Sequence, residues 1–120
     1  MDIVRLIAQL IIALGILNVW ILRPNKATDY RGGTAKNMRE EFAAYGLPFW
    51  FMCIIGGLKI LLALSLVAGI WMPALIRPAA IGMAFLMLGA LSMHFKVGDP
   101  LKKVLPAFTM LILSLFVAVS

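Results

Sequence analysis

The chemistry-bearing side chains of this chain are few, and the one that stands out is Lys59. It interrupts the apolar run "IIGGLKILLALSL" (54–66) with an ammonium group. The flanking apolar positions reach Leu47 on one side and Met72 on the other, about 18 Å of helix each way. A lysine stem spans about 6 Å, so this ammonium cannot snorkel to an interface and needs a partner inside the protein. The carboxylates Asp2, Asp29, Glu40, Glu41 and Asp99 all fall in terminal or connecting positions. The expected partners are therefore neutral: Gln9 first, then backbone carbonyls, water or a ligand carbonyl. Three roles fit Lys59: hydrogen bonding to a buried ligand, proton transfer, or the fixing of helix packing.

His94 is the single histidine and precedes Asp99 by one helical turn and a bend. A carboxylate at that spacing can orient the imidazole. The pair either ties a turn together or makes a proton-exchange or ligand-headgroup site. In "YRGG", Arg31 beside Gly32 and Gly33 could form a nest of backbone donors next to a guanidinium, suited to lipid phosphate. One histidine cannot ligate a haem from both sides, and no metal-ligand spacing is present, so no tightly bound metal or cofactor is expected. The lone Cys53 allows neither an intrachain disulfide nor a Cys-x-x-Cys redox pair. No nucleophile–base set or phosphate loop occurs, which leaves catalysis by the chain alone an open question.

The elements that must position these residues are read from hydropathy. With 63% hydrophobic residues and a mean hydropathy of +1.03, the chain carries more apolar surface than a soluble domain of this size can hide. Four segments are long enough to cross a bilayer: 3–22, 47–72, 73–95 and 100–119. The first is read as a retained helix rather than a signal peptide, because Gln9 and Asn18 interrupt it and no small-x-small cleavage site follows. The expected fold is all-α, a single domain over 1–120: an integral membrane four-helix bundle with a short interfacial amphipathic helix between spans one and two.

The net charge of +6 belongs to membrane flanks, where it meets lipid phosphates, and nucleic acid is not an expected partner. Arg5 and Arg77 fall on one side, whereas Lys36, Arg39, Lys96, Lys102 and Lys103 fall on the other together with Arg23, Lys26 and Arg31. The positive-inside rule then puts both termini outside and the basic loops in the cytoplasm, with a bacterial inner membrane as the expected location.

In the polar connection 23–46, Pro24 ends the first span, Thr34 is a candidate cap, and a short helix stops at Gly46. Its Met38, Phe42 and Tyr45 share one face, as in a helix that anchors to the membrane surface or covers a cavity. The connection "WMPALIRP" makes spans two and three antiparallel neighbours. Asp99 is a candidate N-cap for the fourth span. The pairs Ala8 and Gly15, Gly56 and Ala63, and Gly82 and Gly89 each lie on one helix face and allow close packing.

The stretches "YRGGTAKNMREEFAAYGLP" (30–48), "GGLKILLALSLVAGIWMPAL" (56–75) and "MLGALSMHFKVGDPLKKVLPA" (87–107) resemble the DoxX-like family of small four-span membrane proteins. The resemblance rests on the Gly-Leu-Pro opening of span two, the ionisable residue within it, and a His-x-x-x-x-Asp-Pro turn. It implies a glutamate in many relatives where Lys59 stands here. It also implies a range of roles: subunits of membrane quinone oxidoreductases, partners of redox-defence enzymes, and assembly chaperones.

Three functions follow as expectations. The first is a quinone- or lipid-binding accessory subunit of a membrane redox system, with Lys59, Gln9, His94 and Asp99 around the ligand. The second is a non-enzymatic membrane assembly protein that partners another membrane protein. The third is a small anion transporter, and a homodimer is compatible with each.

Overall fold

The computed structural model describes residues 3–22 and 35–120. The Arg31, Gly32 and Gly33 nest and the Thr34 cap lie outside the described residues. Helix α1 (Ile3–Leu17) continues into a π-helical turn, Asn18–Leu22. Helix α2 (Met38–Ala44) is short. Helix α3 (Phe49–Ala68) is followed by a 3₁₀ turn, Pro73–Leu75, and by α4 (Ile76–Lys96) and α5 (Leu101–Val119).

Four helices are long and apolar enough to cross a membrane: Ile3–Leu22, Phe49–Ala68, Pro73–Lys96 and Leu101–Val119. Only 22% to 39% of each is buried in the bundle, so most of their apolar surface faces outward. Residues such as Leu14, Leu61, Phe85 and Phe108 are exposed. Lipid tolerates that arrangement and water does not. The chain is an integral membrane protein.

The second span is shorter than its hydropathy suggests: α3 opens after Pro48, ends at the C-cap Gly69, and is kept from resuming by Pro73. Pro48 is extended and serves as the N-cap of α3. Met72, forced out of helical geometry by the following Pro73 (φ −128°, ψ 77°), cannot continue it. Lys59 therefore sits nine residues before Ala68, near the middle of the helix.

Neighbours in the bundle run in the cyclic order α1, α3, α4, α5, each long helix packing on two others, and α2 rests on α3. The core near the chain termini is made mainly of small and branched residues, including Ile12, Ala13, Leu66, Ala80 and Val117, with Met83 among them. Glycines set two of the close approaches. A Cβ at Gly56 would strike the Trp20 ring, and one at Gly82 would crowd Leu62.

Three ends of elements fix the site's geometry. Asn37 caps α2: its Oδ1 accepts from the Glu40 N–H at 2.8 Å, and its Nδ2 donates to the Glu40 carboxylate at 2.8 Å. At the other end of α2, Gly46 takes φ +79°, and the Leu47 N–H closes onto the Phe42 carbonyl at 2.9 Å. Gly98 does the same after α4 with φ +70°, and the Asp99 N–H reaches the His94 carbonyl at 3.0 Å. Asp99 is thus not the cap of α5. That place belongs to Pro100, because the Gly98 turn carries the Asp99 side chain back over α4.

Candidate functional site

The two irregular helix segments lie at the same end of the bundle. The π-turn at Asn18–Leu22 adds a residue per turn to α1, and Pro106 deprives α5 of one backbone donor. Between them, and against α2, α3 and α4, lies a cavity of about 530 Å³. Its walls are mainly apolar, with Ile55, Phe85, Met87 and Met110 among them, and its polar groups include Lys59, Glu41, His94 and Lys103. A small-molecule site usually has this size and this mixture.

Lys59 is buried in the wall of this cavity. Its Nζ lies 5.4 Å from the centroid of the Trp20 ring, within cation–π range. The absence of a Cβ at Gly56 is what lets that indole lie against α3. The carboxylate facing the same cavity is Glu41, whose Oε1 accepts from the Tyr45 hydroxyl at 2.7 Å.

Gln9, the partner expected for Lys59, is not there. It is buried nearer the other end, and its Nε2 donates to the Leu66 carbonyl at 2.7 Å. That carbonyl is one of the last of α3, where Gly69 bonds Ser65 and Ile70 bonds Val67 instead. Gln9 therefore satisfies a helix C-terminus. The antiparallel run of α1 against α3 carries residue 9 toward 66 and residue 20 toward 56, so Lys59 stands level with the last residues of α1, and its ammonium reaches on to the Trp20 ring of the π-turn.

His94 and Asp99 do come together: Nδ1 and Oδ2 are 2.7 Å apart, and both side chains are largely buried. An ionised carboxylate only accepts, so Nδ1–H donates and Nε2 is the nitrogen left for other partners. His94 lines the cavity and contacts Tyr45, ring centroids 5.8 Å apart. Tyr45 contacts Phe42 at 6.0 Å, and Phe42 contacts Trp20 at 5.9 Å. A chain of rings thus runs from the His94–Asp99 pair to the aromatic face beside Lys59.

Helix α2 supplies the middle of that chain. Met38, Phe42 and Tyr45, the face expected either to rest on the membrane surface or to cover a cavity, are buried and line the cavity. Lys96 holds the end of α2 in place by donating from Nζ to the Tyr45 carbonyl at 2.9 Å. Glu41 belongs to the same face, three residues after Met38 and four before Tyr45. Its periodicity was visible in the sequence, but a carboxylate in a connection reads as solvated until the helix is seen to turn inward. Trp20 carried no such signal, since its place is set by contacts with Gly56 and Phe42, both far from it in sequence.

A small four-span membrane bundle with a mid-depth lysine facing an internal cavity is thereby defined. The model of the DoxX-like family matches residues 32–117, and the chain belongs to that family. The matched region holds Glu41, Lys59, His94 and Asp99, whereas Gln9 and Trp20 precede it. Comparison with curated proteins and with solved structures found no match.

Proposed function

We propose that this protein is a quinone- or lipid-binding accessory subunit of a membrane redox system, with its ligand in the cavity beside Lys59. The observation that carries this reading is the lysine itself, buried at mid-depth in the wall of a largely apolar 530 Å³ cavity. A charged group at this depth costs about 3 kcal/mol on insertion. A ligand carbonyl would replace part of its lost hydration, and an isoprenoid tail would suit the apolar walls and the lipid beyond them. At the interfacial end, the Nε2 of His94 is available for proton exchange with the ligand's second polar group. The redox centre itself would come from a partner protein. The orientation that fits is termini outside and the α2 end cytoplasmic, following the excess of Lys and Arg at that end.

The test is equilibrium binding of a short-chain quinone to purified protein in nanodiscs, wild type against Lys59→Met. The reading predicts saturable binding that the variant weakens at least about tenfold, equivalent to about 1.4 kcal/mol. Equal binding by both, or none by either, refutes it.

A further inference from the structure

Gly82 and Gly89 lie on the same face of α4, the one turned toward α3, yet they meet different surroundings. At Gly82 the two helices touch, since a Cβ there would lie 3.1 Å from the Leu62 side chain. Seven residues on, about 10 Å along the helix, Gly89 is exposed and a Cβ would meet nothing within 4 Å. The antiparallel pair therefore parts between these two levels. Its register, with Leu62 beside Gly82, carries Lys59 toward Phe85 and Ile55 toward Gly89. Phe85 and Gly89 both line the cavity, and both are exposed at the outer surface, Phe85 by 70%. The cavity thus opens sideways between α3 and α4.

Gly89 belongs to the span Pro73–Lys96, so what lies outside this opening is lipid hydrocarbon and not water. Two other approaches are covered. Across the bundle, a Cβ at Gly15 would strike the Met110 side chain, which closes α1 against α5 near the level of Lys59. Toward the aqueous surface, α2 covers the cavity with Met38, Phe42 and Tyr45, and Lys96 holds its end. Polarity is sorted along the same line. Phe51, Ile55, Phe85, Leu86, Gly89 and Met93 flank the gap without a charged or hydrogen-bonding side chain, whereas the buried Lys59 and His94 stand inside.

We infer that the gap between α3 and α4 holds the apolar tail of a membrane-dissolved amphiphile whose polar head meets Lys59. The inference rests on the ligand reading above and adds the class of ligand and its route: a tailed molecule that enters from the bilayer and leaves its tail in the lipid. Gly89 sets the selectivity, because a side chain longer than a methyl group there fills the space that the tail crosses.

The experiment compares a tailless benzoquinone with one whose isoprenoid tail is too long for a 530 Å³ cavity to enclose. Both bind the full chain in nanodiscs, with affinities expressed as mole fraction in the bilayer so that partitioning cancels. The wild type is expected to bind the two within about threefold of each other. Gly89→Leu is expected to discriminate against the tailed quinone by at least about tenfold relative to the tailless one. Gly57→Leu places the same side chain on an exposed part of α3 that does not line the cavity, and is expected to keep the wild-type ratio. Gly89→Ala, expected to fall between, carries the comparison if the leucine variant fails to fold. Rejection of the tailed quinone by the wild type, or equal binding of both quinones by Gly89→Leu, overturns the inference. Tailless binding that still depends on Lys59 would leave the reading of the cavity standing after that failure, whereas loss of all quinone binding removes both.

Discussion

Gln9 and Lys59 are both buried polar side chains on membrane-spanning helices, yet the parts of the bundle around them are built on opposite plans. Around Gln9 the helices close on small and branched residues, and the Nε2 of the amide is held by the Leu66 carbonyl while its Oε1 has no hydrogen-bond partner. Around Lys59 a π-turn, a proline and a short lid-like helix hold the walls apart, and the ammonium faces an indole, a cavity and the Glu41 carboxylate. A polar group that completes a neighbour's backbone has a structural job already done. One that lines open space is still able to meet a ligand.

The sharpest way to break this contrast is at the glycines. Gly56→Ala drives a Cβ into the Trp20 ring, and the strain is expected to lower stability by about 1–3 kcal/mol and to disturb ligand binding, since the indole beside Lys59 must move. Thermal unfolding in detergent together with tryptophan emission checks both. An unchanged emission spectrum would show that Trp20 does not depend on Gly56.

The two polar residues should then separate by assay. Gln9→Leu removes the bond to Leu66 and is expected to cost about 1–2 kcal/mol of stability while leaving ligand affinity within about twofold. Lys59→Met is expected to do the reverse, with unchanged or raised stability and weakened binding. If Gln9→Leu proved the binding variant, the structural assignment of Gln9 would fail.

A smaller effect is expected where α2 closes the cavity. Asn37→Ala deletes the N-cap and loosens α2 by about 1 kcal/mol. Because α2 forms one wall, the ligand should exchange faster, which stopped-flow release would measure. The smallest change is expected at Gly89, which lines the cavity and where a new Cβ meets nothing within 4 Å. Gly89→Ala should raise stability by about 0.5 kcal/mol through helix propensity alone, opposite in sign to Gly56→Ala. A loss of stability there would mean that the cavity is closed in the membrane.

Much of the architecture was legible because hydrophobic run length and proline placement act locally. The four spans, their order and the short helix after span one all follow from such signals, with ends shifted by a few residues where Pro48 and Pro73 cap or break the helix. The His94–Asp99 contact was legible too, because Gly98 needs only its own positive φ to fold five residues into a turn. The partner of Lys59 was not. Depth along a helix suggested Gln9, but depth does not say which face of α1 meets α3, nor that a π-turn changes that face near Trp20.

By itself, then, the sequence determined that this is a membrane bundle with an ammonium group at mid-depth and a histidine–carboxylate pair at one surface, since burial energy and turn geometry are carried by neighbours in the chain. Only the tertiary structure decided what each polar group faces. The inward turn of α2 and the packing of Trp20 on Gly56 depend on contacts between helices far apart in sequence. Their geometry is set by the shapes of all the packed surfaces together, which no local pattern encodes.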